Sequence, residues 1–447
     1  MEVEPKQDRN PGEKGTEPRA ADDSPEPSSF TTIRNSPGFI QMFAGQAVSA
    51  FGDWMATVAF MILTSSATGG NEIAIGGVLV LRLAPGVVAG PLAGRLARRY
   101  DYRKTMMTMD VLRALMVVVV PLLFTLWWIY LWAFLIEVAS LIFIPARDSS
   151  IPELVGDEEA LPLANSMILG SSFGTIPLGA GAFALVTAFS HGVTVAFIDP
   201  QTHPFVFWID GLSYLVSLYF ISRIGTLRTA HVVDPGDEEK APEGAFREAF
   251  QIPIVRMVVL PALAITLGLG ALFSMGITLV RSVMDASDAQ FGLLIALFGV
   301  GAGAGIGILQ LRGSERTLTD FQVAVGAVGA SIFLTVLTPF LAVALVGAVF
   351  FGAAAAYAMA GGMSTLQERV EGEERVLAFT AFHVLIRAGL GVGAIVAGVL
   401  GQLAGGFRVP ILGHVAAAQW VLFLSGLIVL VSALFITETE ETKRASG

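Results

Sequence analysis

Residues 76–124 read GGVLVLRLAPGVVAGPLAGRLARRYDYRKTMMTMDVLRALMVVVVPLLF. Two apolar runs flank a connector, Gly94 to Lys104, in which five of eleven residues are basic. An apolar run of about 20 residues crosses a ~30 Å hydrocarbon core as a helix. Connectors rich in Lys and Arg stay on the cytoplasmic side. The stretch therefore reads as span, cytoplasmic connector, span, and the same pattern recurs along nearly the whole chain.

The totals agree with this local reading. Of 447 residues 54% are hydrophobic and only 14% charged, with a mean hydropathy of +0.70. Soluble domains carry about 25% charged residues, so a chain this apolar needs lipid as its main solvent. The runs are continuous rather than alternating, which selects helices over a β-barrel. The fold class expected is an all-α membrane protein with twelve transmembrane helices. Spans are predicted near 39–63, 73–94, 105–126, 129–146, 162–189 and 204–223, then 254–280, 290–311, 320–338, 341–365, 376–403 and 414–436.

Charge fixes an orientation. The net charge of −10 resides in polar segments, and residues 1–37, with eight carboxylates and five bases among Pro, Ser and Gly, read as a disordered tail. That tail has no apolar h-region of a cleaved signal peptide. With the N-terminus in the cytoplasm, the tails, the central linker and the even-numbered connectors hold 22 of the 27 basic residues. The odd-numbered connectors hold Arg281 and Arg408, and Arg82, Arg113 and Arg387 fall within spans. Both termini are thus expected in the cytoplasm. The predicted organisation is a cytoplasmic tail (1–37), a six-helix half (38–224), a linker (225–250), a second six-helix half (251–437) and a short tail (438–447). ELVGDEEA (153–160) and ERVEGEER (368–375) agree at four of eight positions and occupy equivalent connectors. Together with the topology, that favours a duplicated 6+6 transporter with its site between the halves.

Several strings resemble the major facilitator superfamily over essentially all of 38–437. Gly94-Arg95-Leu96-Ala97-Arg98-Arg99-Tyr100-Asp101-Tyr102-Arg103-Lys104 is similar to that family's hallmark loop, roughly G-x-L-A-D-R-x-G-R-R. FGDW (Phe51 to Trp54), RLAP (Arg82 to Pro85), DVLRA (Asp110 to Ala114), IPARDSSIPELV (Ile144 to Val155) and LQERV (Leu366 to Val370) resemble the bacterial efflux branch of macrolide and siderophore exporters. The resemblance implies a twelve-helix, two-half fold, export of a small molecule, and a cytoplasmic gate. For that gate it points to Gly94, Arg98, Arg99, Asp101, Arg103, Asp110 and Arg113. The sequence departs from the pattern at Arg98, where the family carries an acid; Asp101 or Asp110 could substitute. Asp110 and Arg113, one turn apart at the cytoplasmic end of span 3, could equally form a local ion pair. In span 5 the efflux branch's G-P-x-x-x-G stands here as Ile176-Pro177-Leu178-Gly179-Ala180-Gly181, so Pro177 and Gly181 remain.

Ionisable groups inside spans ask for a reason, since each costs roughly 2.5–3.5 kcal/mol at mid-bilayer. Gln46, Ser49, Asp53 and Thr57 recur at helical spacing and form one polar stripe, expected to face a central cavity. Asp53 is read either as a proton-coupling or substrate-contacting acid or as a structural partner of Arg82. Glu137, among Leu, Ile, Ala and Val, suits a proton carrier or a permanent partner of Arg82 or Arg387. Arg387 in span 11 could balance a carboxylate or attract an anionic substrate, and His383 lies one turn before it. Asp210, near the outer end of span 6, reads more readily as an interfacial or capping acid than as a coupling residue. Gly86, Gly90 and Gly94, Gly299, Gly303 and Gly307, and Gly389, Gly393, Ala397, Gly401 and Gly405 form small-residue ridges for close helix packing.

The same residues exclude other classes. No G-x-x-x-x-G-K-[ST] occurs, so an ion gradient rather than ATP is the expected driving force. Neither a nucleophile–base set nor a metal cluster is legible, and with no cysteine there is no disulfide or thiolate site. Expected partners are a small-molecule substrate, protons and membrane lipid, with no cofactor, no metal and no nucleic acid, in a monomer of the bacterial cytoplasmic membrane. The reading is a proton-coupled exporter of an amphipathic drug or secondary metabolite. Uptake or lipid transport on the same fold, or a non-transporting sensor or scaffold, stand as alternatives.

Overall fold

The computed structural model describes residues 29–82, 100–190, 193–195, 198–225, 227, 248–312, 317–370, 372–404, 406–409 and 413–436. Among them eleven helices are long and apolar enough to cross a membrane. A further helix at 72–82 runs to the edge of the described residues. We label the helices α1 (Ser29–Arg34), α2 (Pro37–Ala67), α3 (72–82), α4 (Tyr102–Val119), α5 (Leu126–Val155), α6 (Leu161–Gly174), α7 (Ile176–Phe189) and α8 (Pro204–Ser222). After the linker come α9 (Pro253–Thr278), α10 (Asp288–Arg312), α11 (Leu318–Val336), α12 (Leu341–Arg369), α13 (Gly372–Ala404) and α14 (Ala417–Leu434).

Three differences from the sequence reading have local causes. Residues 29–34 belong to no loose tail: they form α1, which buries Ile33 and sends the Ser29 hydroxyl toward the Glu159 carbonyl at 3.4 Å. Span 5 is broken at Thr175, because Pro177 opens α7 at a position where its missing N–H costs nothing. Between α13 and α14 a small antiparallel hairpin pairs Phe407–Val409 with Gly413–Val415, with Arg408 opposite His414.

The helices before residue 227 pack mainly on one another, as do those after 248. In the first set α2 lies against α8, α7 and α5, and α4 against α8 and α5; in the second, α9 packs on α13 and α14, and α10 and α11 on α12. Glycines set the closest of these approaches. Gly301, Gly305 and Gly352 bring α10 and α12 to backbone contact, so a Cβ at any of them would overlap Val349, Ala353 or Phe298 main-chain atoms. Gly393 and Gly270 do the same between α13 and α9, where Gly389 and Gly401 meet the side chains of Thr266 and Met275. The predicted ridge on span 11 is thus a seam inside the second set. The every-fourth-residue ridge on span 8 is shifted by two, to Gly301 and Gly305.

Candidate functional site between the two helix sets

The two sets meet along α7 with α10, α2 with α9, and α3 with α13. Gly292 abuts Phe183 (2.6 Å to an added Cβ), Gly181 faces Ala296, and Gly299 abuts Pro177 at 2.7 Å. Pro177 and Gly181 therefore lie at this seam. On the other side Gly398 abuts Glu72, Gly76 meets the Ala394 carbonyl at 2.7 Å, and Gly391 faces Val80. All these contacts lie toward one end of the bundle, opposite the termini. Further toward the terminus-bearing end, Gly303 and Gly307 of α10 and Gly170 and Gly174 of α6 have nothing within 4 Å of an added Cβ among the described residues. Among the described residues, the glycine contacts that cross between the sets thus gather toward the far end.

A clasp holds the far end shut. α9 finishes in a π turn, Leu279–Val283, that presents Arg281. Its Nε donates to Asp288 Oδ1 at 2.8 Å, and its Nη atoms donate to Ser65 at 3.2 Å and Ser66 at 3.0 Å. Asp288 Oδ2 also stands 3.4 Å from His203 Nε2, an ion pair when the imidazole is protonated. One arginine and one aspartate of the second set thereby grip α2 and the start of α8. The clasp lines a polar cavity of about 780 Å³, together with Glu72, Thr187 and Gln201. His203, which lines it, and Asp285 are the two non-glycine residues with positive φ among those described (both 49°). Nothing in the sequence reading singled out this cluster; Arg281 entered it only as an odd-loop charge.

The predicted intramembrane residues converge inside the first set. Asp53 lies near the middle of α2, half-buried, and accepts a hydrogen bond from the Tyr214 hydroxyl of α8. Trp54 donates through its indole to the Ser172 carbonyl at 2.8 Å, and Gln46 reaches the Ser172 hydroxyl at 3.4 Å. Asp210 is 1% exposed, so it is an interior acid and not an interfacial cap; its carboxylate hydrogen-bonds with Ser213 and lies in electrostatic reach of Asp53 and Arg82. Glu137 has Arg82, Asp53 and Arg113 around it. Arg82 stacks over Phe60, its guanidinium carbon 5.4 Å from the ring centroid. Asp110 and Arg113 were expected at a helix end, but they stand eight and eleven residues into α4, roughly 12–17 Å along its axis. They form a buried ion pair, with Arg113 sandwiched between Phe143 (4.3 Å) and Tyr214 (4.4 Å).

Other predicted residues stay apart. Arg387 is exposed, without a hydrogen bond or ion pair among the described residues, and shares the α13 face with Gly391 and Ala394 that meets α3. His383 is exposed too, its Nδ1 2.9 Å from the Phe379 carbonyl. Asp101 caps α4 by accepting from the Lys104 amide at 2.8 Å, while Arg103 donates to the Ser222 carbonyl and joins α4 to α8. Gly86, Gly90, Gly94, Arg98 and Arg99 lie outside the described residues, as does Gly405.

The sequence profile described as the Major Facilitator Superfamily matches residues 42–319. The chain belongs to that superfamily. It is 26% identical over 374 residues to BacE, a candidate bacilysin exporter of Bacillus subtilis (strain 168), covering 80% of this chain and 86% of BacE. It is 25% identical to the uncharacterized MFS-type transporter YfiS of the same organism, over 60% of this chain and 63% of YfiS. Among solved structures, the nucleoside transporter NupG superposes with a TM-score of 0.68 at 11% identity, covering 89% of this chain and 98% of NupG. A bacterial homologue of the human lysosomal transporter Spinster, inward-facing and unoccupied, gives 0.66 at 14% identity, covering 89% and 95%. The solved structures fix the fold as the superfamily's helical architecture, and membership of the family makes the chain a multi-pass membrane transporter and not an enzyme.

Proposed function

We propose that this member of the superfamily exports an amphipathic small molecule in exchange for protons, by alternating access across the bacterial cytoplasmic membrane. The moving bodies are the halves 38–224 and 251–437, joined by the 225–250 linker, with both termini cytoplasmic. In that orientation the clasped end is the outside and the terminus-bearing end faces the cytoplasm, and we read the arrangement as inward-facing. The likeness to BacE supports export.

One observation carries the coupling. Asp53 is half-buried at mid-helix, on the polar stripe with Gln46, and is joined through Tyr214 to a cluster holding Asp210, Glu137, Arg82, Asp110 and Arg113. An acid that touches both the open space and a buried charge network can trade a proton for a ligand. Asp53 and Glu137 exchange the proton and Arg82 balances them. Arg387 and His383, exposed on the facing half, meet the substrate. Asp101 and Arg103 with the 94–104 loop latch the cytoplasmic side; Asp110 and Arg113 stand too deep to be its surface part.

The test uses purified protein in liposomes with a pH-sensitive dye inside, an imposed proton gradient and a panel of amphipathic compounds. Compound-dependent proton flux in wild type that vanishes in Asp53→Asn is the expected result. Flux that persists in the variant removes Asp53 from the coupling path.

A further inference from the structure

Tyr214 has a burial and a placement that transport of a substrate does not by itself require. It is fully buried where α8 crosses α2 and α4. Its hydroxyl donates to Asp53, and its ring face lies 4.4 Å from the Arg113 guanidinium carbon. Arg113 is in turn paired with Asp110 and closed on its other face by Phe143. One side chain thus touches the half-exposed acid of α2 with its polar end and the buried ion pair of α4 with its apolar face.

We propose that Tyr214 is the positioning residue that links the protonation state of Asp53 to the Asp110–Arg113 pair of α4, the helix that follows the hallmark loop. The assignment rests on the proton-coupled reading above. While Asp53 is ionised, its carboxylate accepts the phenol O–H and holds the ring against Arg113. When Asp53 takes up a proton at its carboxylate oxygen, that charge-assisted acceptor is lost and the phenol is freed. The ring is then no longer anchored, and the cation it covered gains freedom to move with α4.

The other charges facing Asp53 are few, which makes the link readable. They are Asp210 of α8, Asp110 and Arg113 of α4, and Glu137 of α5, with Arg82 of α3 in electrostatic reach of Glu137 and Asp210. Helices α6 and α7, which also pack on α2, contain no Asp, Glu, Lys, Arg or His. The phenol is a neutral donor to Asp53, so its removal changes no formal charge.

The chain has no cysteine, so spin labels can be placed at Glu158→Cys and Gln367→Cys, exposed residues at the terminus-bearing ends of the two sets. The full-length protein in lipid nanodiscs is titrated with pH, and the label-to-label distance is read without any substrate. Wild type should switch between a wide and a narrow distance with a defined midpoint, and Asp53→Asn should abolish the switch. Tyr214→Phe removes the donor and with it the anchor of the ring, so it should move the midpoint to higher pH by about one to two units, the worth of one hydrogen bond to a charged group, and shrink the distance change. Incorporation of 3-fluorotyrosine at 214, a stronger donor of the same shape, should move it the opposite way and guards against a folding defect in the Phe variant. A wild-type midpoint in both variants overturns the role of Tyr214 while leaving proton coupling intact. A wild-type distance that ignores pH overturns the coupled reading and this assignment together.

Discussion

The carboxylate of Asp210 lies against the bare Cα of Gly52: a β-carbon at residue 52 would overlap both Asp210 Oδ1 and Ser213 Oγ. This gives each residue of FGDW after the phenylalanine a physical meaning. Gly52 admits the acid of α8, Asp53 receives Tyr214, and Trp54 ties α2 to α6. Gly52→Ala should therefore cost about 1–3 kcal/mol through overpacking. Thermal unfolding in detergent should show a lowered midpoint, with partial recovery in the Gly52→Ala/Ser213→Ala double variant. An unchanged midpoint for the single variant would contradict the contact.

The clasp predicts a change in access rather than in stability. Thr187 lines the far-end cavity and is 9% exposed. In a Thr187→Cys background, Arg281→Ala removes the donors to Ser65, Ser66 and Asp288 at once. At about 1 kcal/mol for a net hydrogen bond, the open fraction should rise roughly fivefold or more. Labelling by a membrane-impermeant maleimide added outside would report it, and an unaltered labelling rate would dismiss the clasp as a gate.

Two arginines were candidate partners of Glu137, and the structure distinguishes them. Arg82 is in electrostatic reach, whereas Arg387 is exposed on the other helix set. A double-mutant cycle of Glu137→Gln with Arg82→Gln should give a coupling of at least ~0.5 kcal/mol, and the cycle with Arg387→Gln a value near zero. Melting temperatures suffice to measure both. Coupling to Arg387 alone would reverse the pairing.

The α10–α12 seam should be the least forgiving part of the second set. Gly305→Leu would drive a side chain into the Ala353 backbone, and rigid helices must separate to admit it. Loss of folded protein on size-exclusion chromatography is expected, whereas Gly307→Leu, beside open space, should yield wild-type amounts. Equal yields would mean that the close approach does not hold.

Much of this architecture is legible in the sequence because hydrocarbon imposes simple rules. Run lengths locate the spans, and Asp53, Glu137, Arg82 and Arg113 stand out because charges inside such runs are costly. What the sequence hides is partnership across helices. Tyr214 looks like one more aromatic of an apolar span, and only the crossing of α8 with α2 gives its hydroxyl a carboxylate. Asp210 resembles a helix-end acid until Gly52 is seen to make room for it. Arg281 shows in the sequence only as an odd-connector base, because besides nearby Asp288 its partners come from residues 65 and 66, and through Asp288 from residue 203, which are far away in the chain.

The bare faces of Gly303 and Gly307, and of Gly170 and Gly174, have a mechanical consequence. Surfaces without side chains can travel until main chains touch, so at these four positions no side chain halts an inward swing early. The stroke of the machine is then limited by backbone bulk itself. A single leucine at position 303 would act as a doorstop, leaving the cytoplasmic door ajar while the outer clasp tried to open. On the inward-facing reading proposed above, such a chain would be trapped able to admit cargo from inside and unable to pass it on. Compound-driven flux abolished in Gly303→Leu, with compound binding retained, would be the mark of that trap; unimpaired flux would show the stroke is limited elsewhere.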